Sequence, residues 1–173
     1  MSSELGGYIR IRPATKDDLD SVIAINIECL PEHYPYSFWR DHLEKWGDVF
    51  YVAEVDGNIV GYVLSRVEEG ISRCIGRNTR IGHIVSVAVR EGYRGKGIAT
   101  AILTAVISVL QAVYNVEEVH LEVRVSNHKA IKLYERLGFV KADRINSYYL
   151  DGEDSYLMVK NLTQEPCNIK PVD

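Results

Sequence analysis

The sequence predicts one mixed α/β (α+β) domain built on a single, mostly antiparallel sheet of seven strands flanked by about four helices. Three observations carry this. The chain has 173 residues, 46% apolar and 25% charged, which suits one domain with a proper core rather than two. No internal repeat or interdomain linker divides it. Apolar spacing alternates between period two and helical period in the order strand, two helices, three strands, helix, strand, helix, two strands.

Taken in order, Tyr8 to Arg12 alternates as a short strand, and Thr15 is the expected N-cap of a first helix, with Asp17 and Asp18 at the positive end of its dipole. Leu19, Val22, Ile23 and Ile27 mark that helix's apolar face. Two prolines then hold Cys29 to Tyr36 as a polar, aromatic loop before a second helix through Trp39 to Trp46. Val49 to Val55 and Ile59 to Val67 read as strands joined by Asp56-Gly57-Asn58, residues that accept positive φ at little cost. Glu68 to Arg80 reads as a long loop, and Gly82 to Val89 as a buried strand. Ile98, Ile102, Leu103, Val106, Ile107 and Leu110 recur at helical spacing, predicting a helix of about four turns. Val116 to Val125 is a strand, Asn127 caps a short helix that Gly138 ends, and Phe139 to Ser147 and Ser155 to Lys160 form a final antiparallel pair. Residues 1–7 are expected to be flexible, 8–160 to form the domain, and the polar tail 161–173 to fray.

Composition excludes several function classes. Twenty Lys and Arg against 24 Asp and Glu leave a formal charge of −4, which disfavours direct nucleic-acid or membrane-surface binding. The longest nearly apolar stretch, Ala101 to Val113, is shorter than the roughly 20 residues that span a bilayer. The first seven residues lack the basic start and apolar run of a signal peptide, so a cytoplasmic location is expected. Cys29, Cys74 and Cys167 are too scattered for a disulfide framework or a zinc pair, which predicts reduced thiols and no metal. Eleven tyrosines against three phenylalanines and two tryptophans are a surplus of apolar rings with hydrogen-bonding tips.

Arg94-Gly95-Lys96-Gly97-Ile98-Ala99 lies between a buried strand and an amphipathic helix. Glycines there let backbone N–H groups face outward beside a helix N-terminus, a geometry suited to phosphate. A tight strand-to-helix turn accounts for the same glycines. The string matches R-x-x-G-x-[GA], and about 30 residues later Ser126-Asn127-His128-Lys129-Ala130-Ile131-Lys132-Leu133-Tyr134-Glu135-Arg136-Leu137-Gly138-Phe139 resembles S-N-x-x-A-x-x-L-Y-x-x-x-G-F. These are the two signatures of the GNAT superfamily of N-acetyltransferases. Within it the chain resembles the archaeal protein N-terminal acetyltransferases, similar to the catalytic subunit of N-terminal acetyltransferase A and to the ribosomal-protein alanine N-acetyltransferase. Leu30-Pro31-Glu32-His33-Tyr34, Gly82 to Val89, Leu121 to Asn127 and Tyr148 to Tyr156 carry that likeness. His33 and Leu150 depart from it, where Asn and Ala are usual.

The resemblance implies the GNAT fold, with fourth and fifth strands splayed around acetyl-CoA as cosubstrate. It implies that Val87, Ala88 and Val89 offer backbone groups to the pantetheine arm and that Arg94, Gly95, Lys96, Gly97, Ile98, Ala99 and Thr100 hold the pyrophosphate. Asn127 would contact the cosubstrate, and Tyr134 would protonate the departing thiolate, although a helix tyrosine is otherwise an ordinary core residue. His83 and Glu122 would act as a base through water, with a satisfied core histidine as the other reading of His83. Such a weak base suffices for an α-amine, about a tenth neutral at pH 7, whereas a lysine amine is neutral only about once in two or three thousand. Glu32 would help take the proton or order the first residue of the peptide, or else be a solvated loop carboxylate. Tyr34, Tyr148 and Tyr149 would hold the peptide backbone, with Tyr36 and Tyr156 as weaker candidates. With no cysteine expected near the cosubstrate motif, direct transfer in a ternary complex is favoured over an acetyl-enzyme.

The expected activity is acetylation of protein N-termini of the Ser, Ala, Thr or Met type, ribosomal proteins among them, with the ribosome or an auxiliary subunit as further partners. Acetylation of small-molecule amines and a non-catalytic acetyl-CoA-binding subunit are the alternatives.

Overall fold

The computed structural model describes residues 8–173; the expected flexible segment 1–7 lies outside the described residues. Strands β1 (Ile9–Pro13), β2 (Phe50–Val55), β3 (Asn58–Ile71), β4 (Asn78–Val89), β5 (Glu118–Arg124), β6 (Val140–Ile145) and β7 (Ser155–Asn161) form one sheet in the order β1-β2-β3-β4-β5-β7-β6. The α-helices are α1 (Leu19–Cys29), α2 (Tyr36–Trp46), α3 (Ile98–Tyr114) and α4 (His128–Arg136). β4 and β5 are parallel, as a crossover through α3 requires, and the pairs β1–β2, β2–β3, β5–β7 and β6–β7 are antiparallel. The β4–β5 register runs from Ile81↔Glu118 to Ile84↔Leu121, and both strands continue beyond it, β4 to Val89 and β5 to Arg124. Among the described residues no helix is long and apolar enough to cross a membrane.

Two compact units make up the chain, residues 8–66 with 86–109 and residues 67–85 with 110–173. In the first, Asp56 and Gly57 alone turn the β2–β3 hairpin, both at positive φ, and Asn58 already pairs with Val55. Thr15 caps one turn of 3₁₀ helix before α1: its N–H and hydroxyl donate to Asp18 Oδ2 at 2.7 and 3.1 Å, and Arg12 grips the same carboxylate at 2.6 and 2.9 Å. Leu19, Val22, Ile25 and Asn26 are the buried positions of α1, whereas Ile27 is 58% exposed. The buried positions step by three and four, and Ile27 falls outside that stripe. Trp39, Phe50, Tyr62, Leu64, Ile102 and Leu103 complete the largest fully buried side chains of this unit.

In the second unit the predicted loop 68–80 shrinks to six residues, because β3 runs on to Ile71 and β4 starts at Asn78. Glu68, which looks like a loop residue in isolation, lies in β3 with a side-chain partner on β4, and Ser72, first residue of the shortened loop, bonds to Glu118 on β5. Gly82 admits α3: a Cβ there would lie 2.8 Å from Leu110 Cδ1. Asn127 Oδ1 accepts the Ala130 N–H at 3.2 Å and caps α4, and Gly138, at φ +93°, ends it as expected.

Two expectations are overturned in this unit. Cys74 and Cys167 form a disulfide across 93 residues of sequence, leaving Cys29 as the free cysteine. The tail 161–173 does not fray: the Asn168 N–H donates to Cys74 O, the Val172 N–H donates to Lys141 O, and Ile169 packs on a cluster of Cys74, Leu157 and Val159. Sequence spacing cannot show a pairing that only the docked tail creates. Closing so long a loop removes much unfolded-state freedom, so reduction is expected to lower stability by about 2–4 kcal/mol and the thermal midpoint by on the order of 10 °C. Thermal unfolding with and without reductant checks this, and coincident curves would refute it.

Candidate active site

β4 and β5 bring the predicted acid–base pair together. His83 is the register partner of His120, and Glu122, two residues on, shares its face of the sheet. His83 Nε2 and Glu122 Oε2 are 2.8 Å apart. The other ring nitrogen, Nδ1, is 2.9 Å from Glu68 Oε1 on β3. Sequence reasoning missed Glu68 because Glu68-Glu69-Gly70 breaks the apolar alternation and reads as a loop. A neutral imidazole donates from one nitrogen only, so two flanking carboxylates are both satisfied by the imidazolium. Burial opposes that charge, but the hydrogen bond and charge of Glu122, joined by those of Glu68, outweigh it and raise the His83 pKa above the ordinary imidazole value. The stabilisation from this ring is therefore complete below about pH 6.5 and is lost as pH rises through the folded-state value.

Elsewhere in this unit, Tyr134 on α4 is 6% exposed with its ring 5.9 Å from Phe139, and burial pushes its phenol up to about 12, so it is protonated at neutral pH. Tyr149 lies in the β6–β7 connection with its ring 4.0 Å from the Arg124 guanidinium, and Tyr148 meets it edge-on at 4.9 Å. Arg124 Nη1 also donates to Asp151 at 2.8 Å and Glu153 at 3.0 Å, so one side chain from β5 organises the connection. Arg124 was not singled out from sequence, although its place two residues beyond Glu122 on the same face was available. Tyr156 is buried in β7 beneath Lys141, as a core residue.

In the other unit, a buried hydrogen-bond chain holds the loop that carries Glu32 and Tyr34. Ser86 Oγ meets Tyr62 OH at 2.7 Å, and Asn26 Nδ2 donates to both Tyr62 OH at 3.2 Å and the Glu32 carbonyl at 3.0 Å. Burial, only partly offset by the bonds to Ser86 and Asn26, pushes the Tyr62 phenol up to about 12. Tyr34 stacks on Phe38 at 4.1 Å and meets Trp39 edge-on at 5.9 Å. Asn26, Tyr62 and Ser86 escaped sequence reasoning because they come from three separated elements.

The glycine-rich turn follows β4 in the same unit. Gly92, Gly95 and Gly97 all have positive φ, and nothing lies within 4 Å of a Cβ built on any of them. The turn delivers the chain into α3 at Ile98, where the first N–H groups of a 17-residue helix have no intrahelical acceptor. Backbone donors, a helix dipole and the cations of Arg94 and Lys96 fit a diphosphate. Arg94 Nε donates to Val89 O at 2.8 Å, which joins the turn to the end of the strand. Cys29 Sγ also approaches Val89 O, at 3.8 Å, so a cysteine does lie beside the motif, contrary to expectation. The reason is tertiary: α1 ends where β4 ends.

This fold and these motifs define an acyl-transfer enzyme class. The chain belongs to the acetyltransferase (GNAT) family, whose profile matches residues 19–139. It is 50% identical to an N-alpha-acetyltransferase of Sulfurisphaera tokodaii, an alignment spanning 91% of this chain and 95% of that one. It is 45% identical to the NAA10 catalytic subunit of the N-terminal acetyltransferase A complex of Arabidopsis thaliana, over 88% of this chain and 77% of that one. Among solved structures, Arabidopsis thaliana NAA60 in complex with acetyl-CoA superposes with a TM-score of 0.78 at 26% identity, covering 90% of this chain and all of that one.

Proposed function

We propose that the protein transfers the acetyl group of acetyl-CoA to the N-terminal α-amino group of proteins, by direct attack in a ternary complex. The observation that carries this is the His83–Glu122 pair at 2.8 Å, one member on each of the two parallel strands, in a chain half identical to a named N-alpha-acetyltransferase. An α-amine with a pKa near 8 needs only a weak base to become the attacking species. Glu122, and His83 when its ring is neutral, receive its proton through water. Backbone groups of Val87, Ala88 and Val89 bind the pantetheine arm, residues Arg94 to Thr100 the pyrophosphate, and Asn127 the same cosubstrate. Tyr134, protonated at neutral pH, supplies the proton for the departing thiolate. Glu32, Tyr34, Tyr148 and Tyr149 order the first residues of the peptide.

Residues 8–160 constitute the acetyltransferase domain in this reading. Its substrates are N-termini of the Ser, Ala, Thr or Met type, and the reading places the protein in the cytoplasm with the ribosome or an auxiliary subunit as further partners. Incubation with acetyl-CoA and short peptides, each with a free or a blocked N-terminus, is expected to release CoA with the free forms only. Release with polyamines but not peptides overturns the acceptor assignment, and cofactor binding without any turnover overturns catalysis. Glu32→Ala is expected to change which first residues are accepted more than Glu122→Ala does. Equal losses across all peptides would contradict the role of Glu32 in ordering the substrate.

A further inference from the structure

We propose that Glu68 is a positioning residue for this reaction: by engaging Nδ1 of His83 it fixes which ring nitrogen faces Glu122. The inference rests on the role given above to His83 and Glu122. Its basis is the geometry of three neighbouring strands, with Glu68 Oε1 at 2.9 Å on one ring nitrogen and Glu122 Oε2 at 2.8 Å on the other. With only one carboxylate partner, the ring could flip and present either nitrogen. Two partners on opposite edges remove that freedom, and a base held in one orientation is a base whose proton transfer starts from one geometry.

Other charged groups around the ring are engaged elsewhere. On β5, His120 faces His83 in register, but its Nε2 is bonded to Glu118 Oε2, and Arg124 is bonded to Asp151 and Glu153. On β3, Arg66 is bonded to His42 Nε2. The residues flanking His83 on its own strand face, Ile81 and Val85, are apolar, as are Val159 and Leu157, which pair with His120 and Glu122 from β7. Among the described residues, Glu68 and Glu122 are thus the two carboxylates that meet the ring directly. Glu68 is the more open, its side chain 41% exposed against 20% for Glu122, so it joins the ring to solvent and can exchange the proton that His83 gives up.

The test compares Glu68→Gln, whose amide oxygen still accepts the Nδ1–H, with Glu68→Ala, which removes both contact and charge. In the free protein, the His83 midpoint followed by NMR is expected to fall by about 1 pH unit in Glu68→Gln. The acid limb of the kcat profile for peptide acetylation moves down in pH with it. Glu68→Ala lowers kcat about tenfold while KM for peptide and acetyl-CoA stays within about twofold. A His83 midpoint within about 0.2 pH units of wild type in both variants, with an unmoved limb, would overturn the proposal. The NMR titration needs no turnover, so failure to acetylate any peptide would refute the acceptor assignment and leave this measurement to stand or fall on its own.

Discussion

Replacing Glu118 by alanine is expected to destabilise the protein by on the order of 5 kcal/mol, enough to leave much of it unfolded at 37 °C. The Glu118 side chain is 1% exposed and accepts four hydrogen bonds: Ser72 Oγ at 2.6 Å, the Arg73 N–H at 2.8 Å, the Cys74 N–H at 3.0 Å and His120 Nε2 at 2.5 Å. Each buried donor left without an acceptor costs about 1–3 kcal/mol. Burial alone would raise the carboxyl pKa, but the bonds from His120, Ser72 and the two N–H groups prevail and hold it at about 2. Because the folded value is depressed, this stabilisation is present above about pH 4.5 and is lost as pH falls towards 2. It amounts to about 3 kcal/mol. Urea unfolding of wild type and Glu118→Gln between pH 7 and pH 2 checks both statements. The wild-type curve should lose stability over that window more steeply than the variant. Parallel curves, or an alanine variant within 0.5 kcal/mol of wild type, would sink the argument. Since the same carboxylate anchors the turn that carries Cys74, the alanine variant should also expose the disulfide to reductant.

The second large effect is catalytic. Glu122→Gln is expected to lower kcat by about 10²–10³-fold, with KM for peptide and acetyl-CoA within about threefold. Glutamine keeps the shape and one acceptor oxygen, so the bond to His83 Nε2 survives. What disappears is the charge that receives a proton and stabilises the imidazolium. The His83 pKa then falls, because Glu68 alone is left to oppose burial. Double replacement with His83→Gln should cost little more than the single change, because the pair acts as a unit. A kcat within threefold of wild type for Glu122→Gln would remove the pair from the chemistry and leave Glu32 as the carboxylate to test.

Local pattern was legible wherever the physics is local. The Asp-Gly turn of the β2–β3 hairpin, the apolar stripe of α3, and the Asn127 cap and Gly138 stop of α4 are decided within a few residues, and they stand where the spacing placed them. The His83–Glu122 pair came from motif likeness, and strand alternation supplied its facing. Local pattern fails for partners far apart in sequence. Glu68 at the end of β3 and Ser72 in the turn after it find their partners in His83 and Glu118, 15 and 46 residues away. The tail is ordered through Cys74 and Lys141, and the loop of Glu32 is held through Tyr62 and Ser86. Polarity read one residue at a time signals solvent in each case.

By itself, the sequence determined the fold class, the order of the elements and the glycine turn ahead of α3. These depend on periodicity, turn chemistry and residue spacing, which are properties of short segments. Only the tertiary structure decided that His83 carries a second carboxylate, that Glu118 is a buried anion with four donors, and that Cys74 meets Cys167. Buried charges and cross-links persist only when distant segments supply their partners together, and that assembly exists only once the chain has folded.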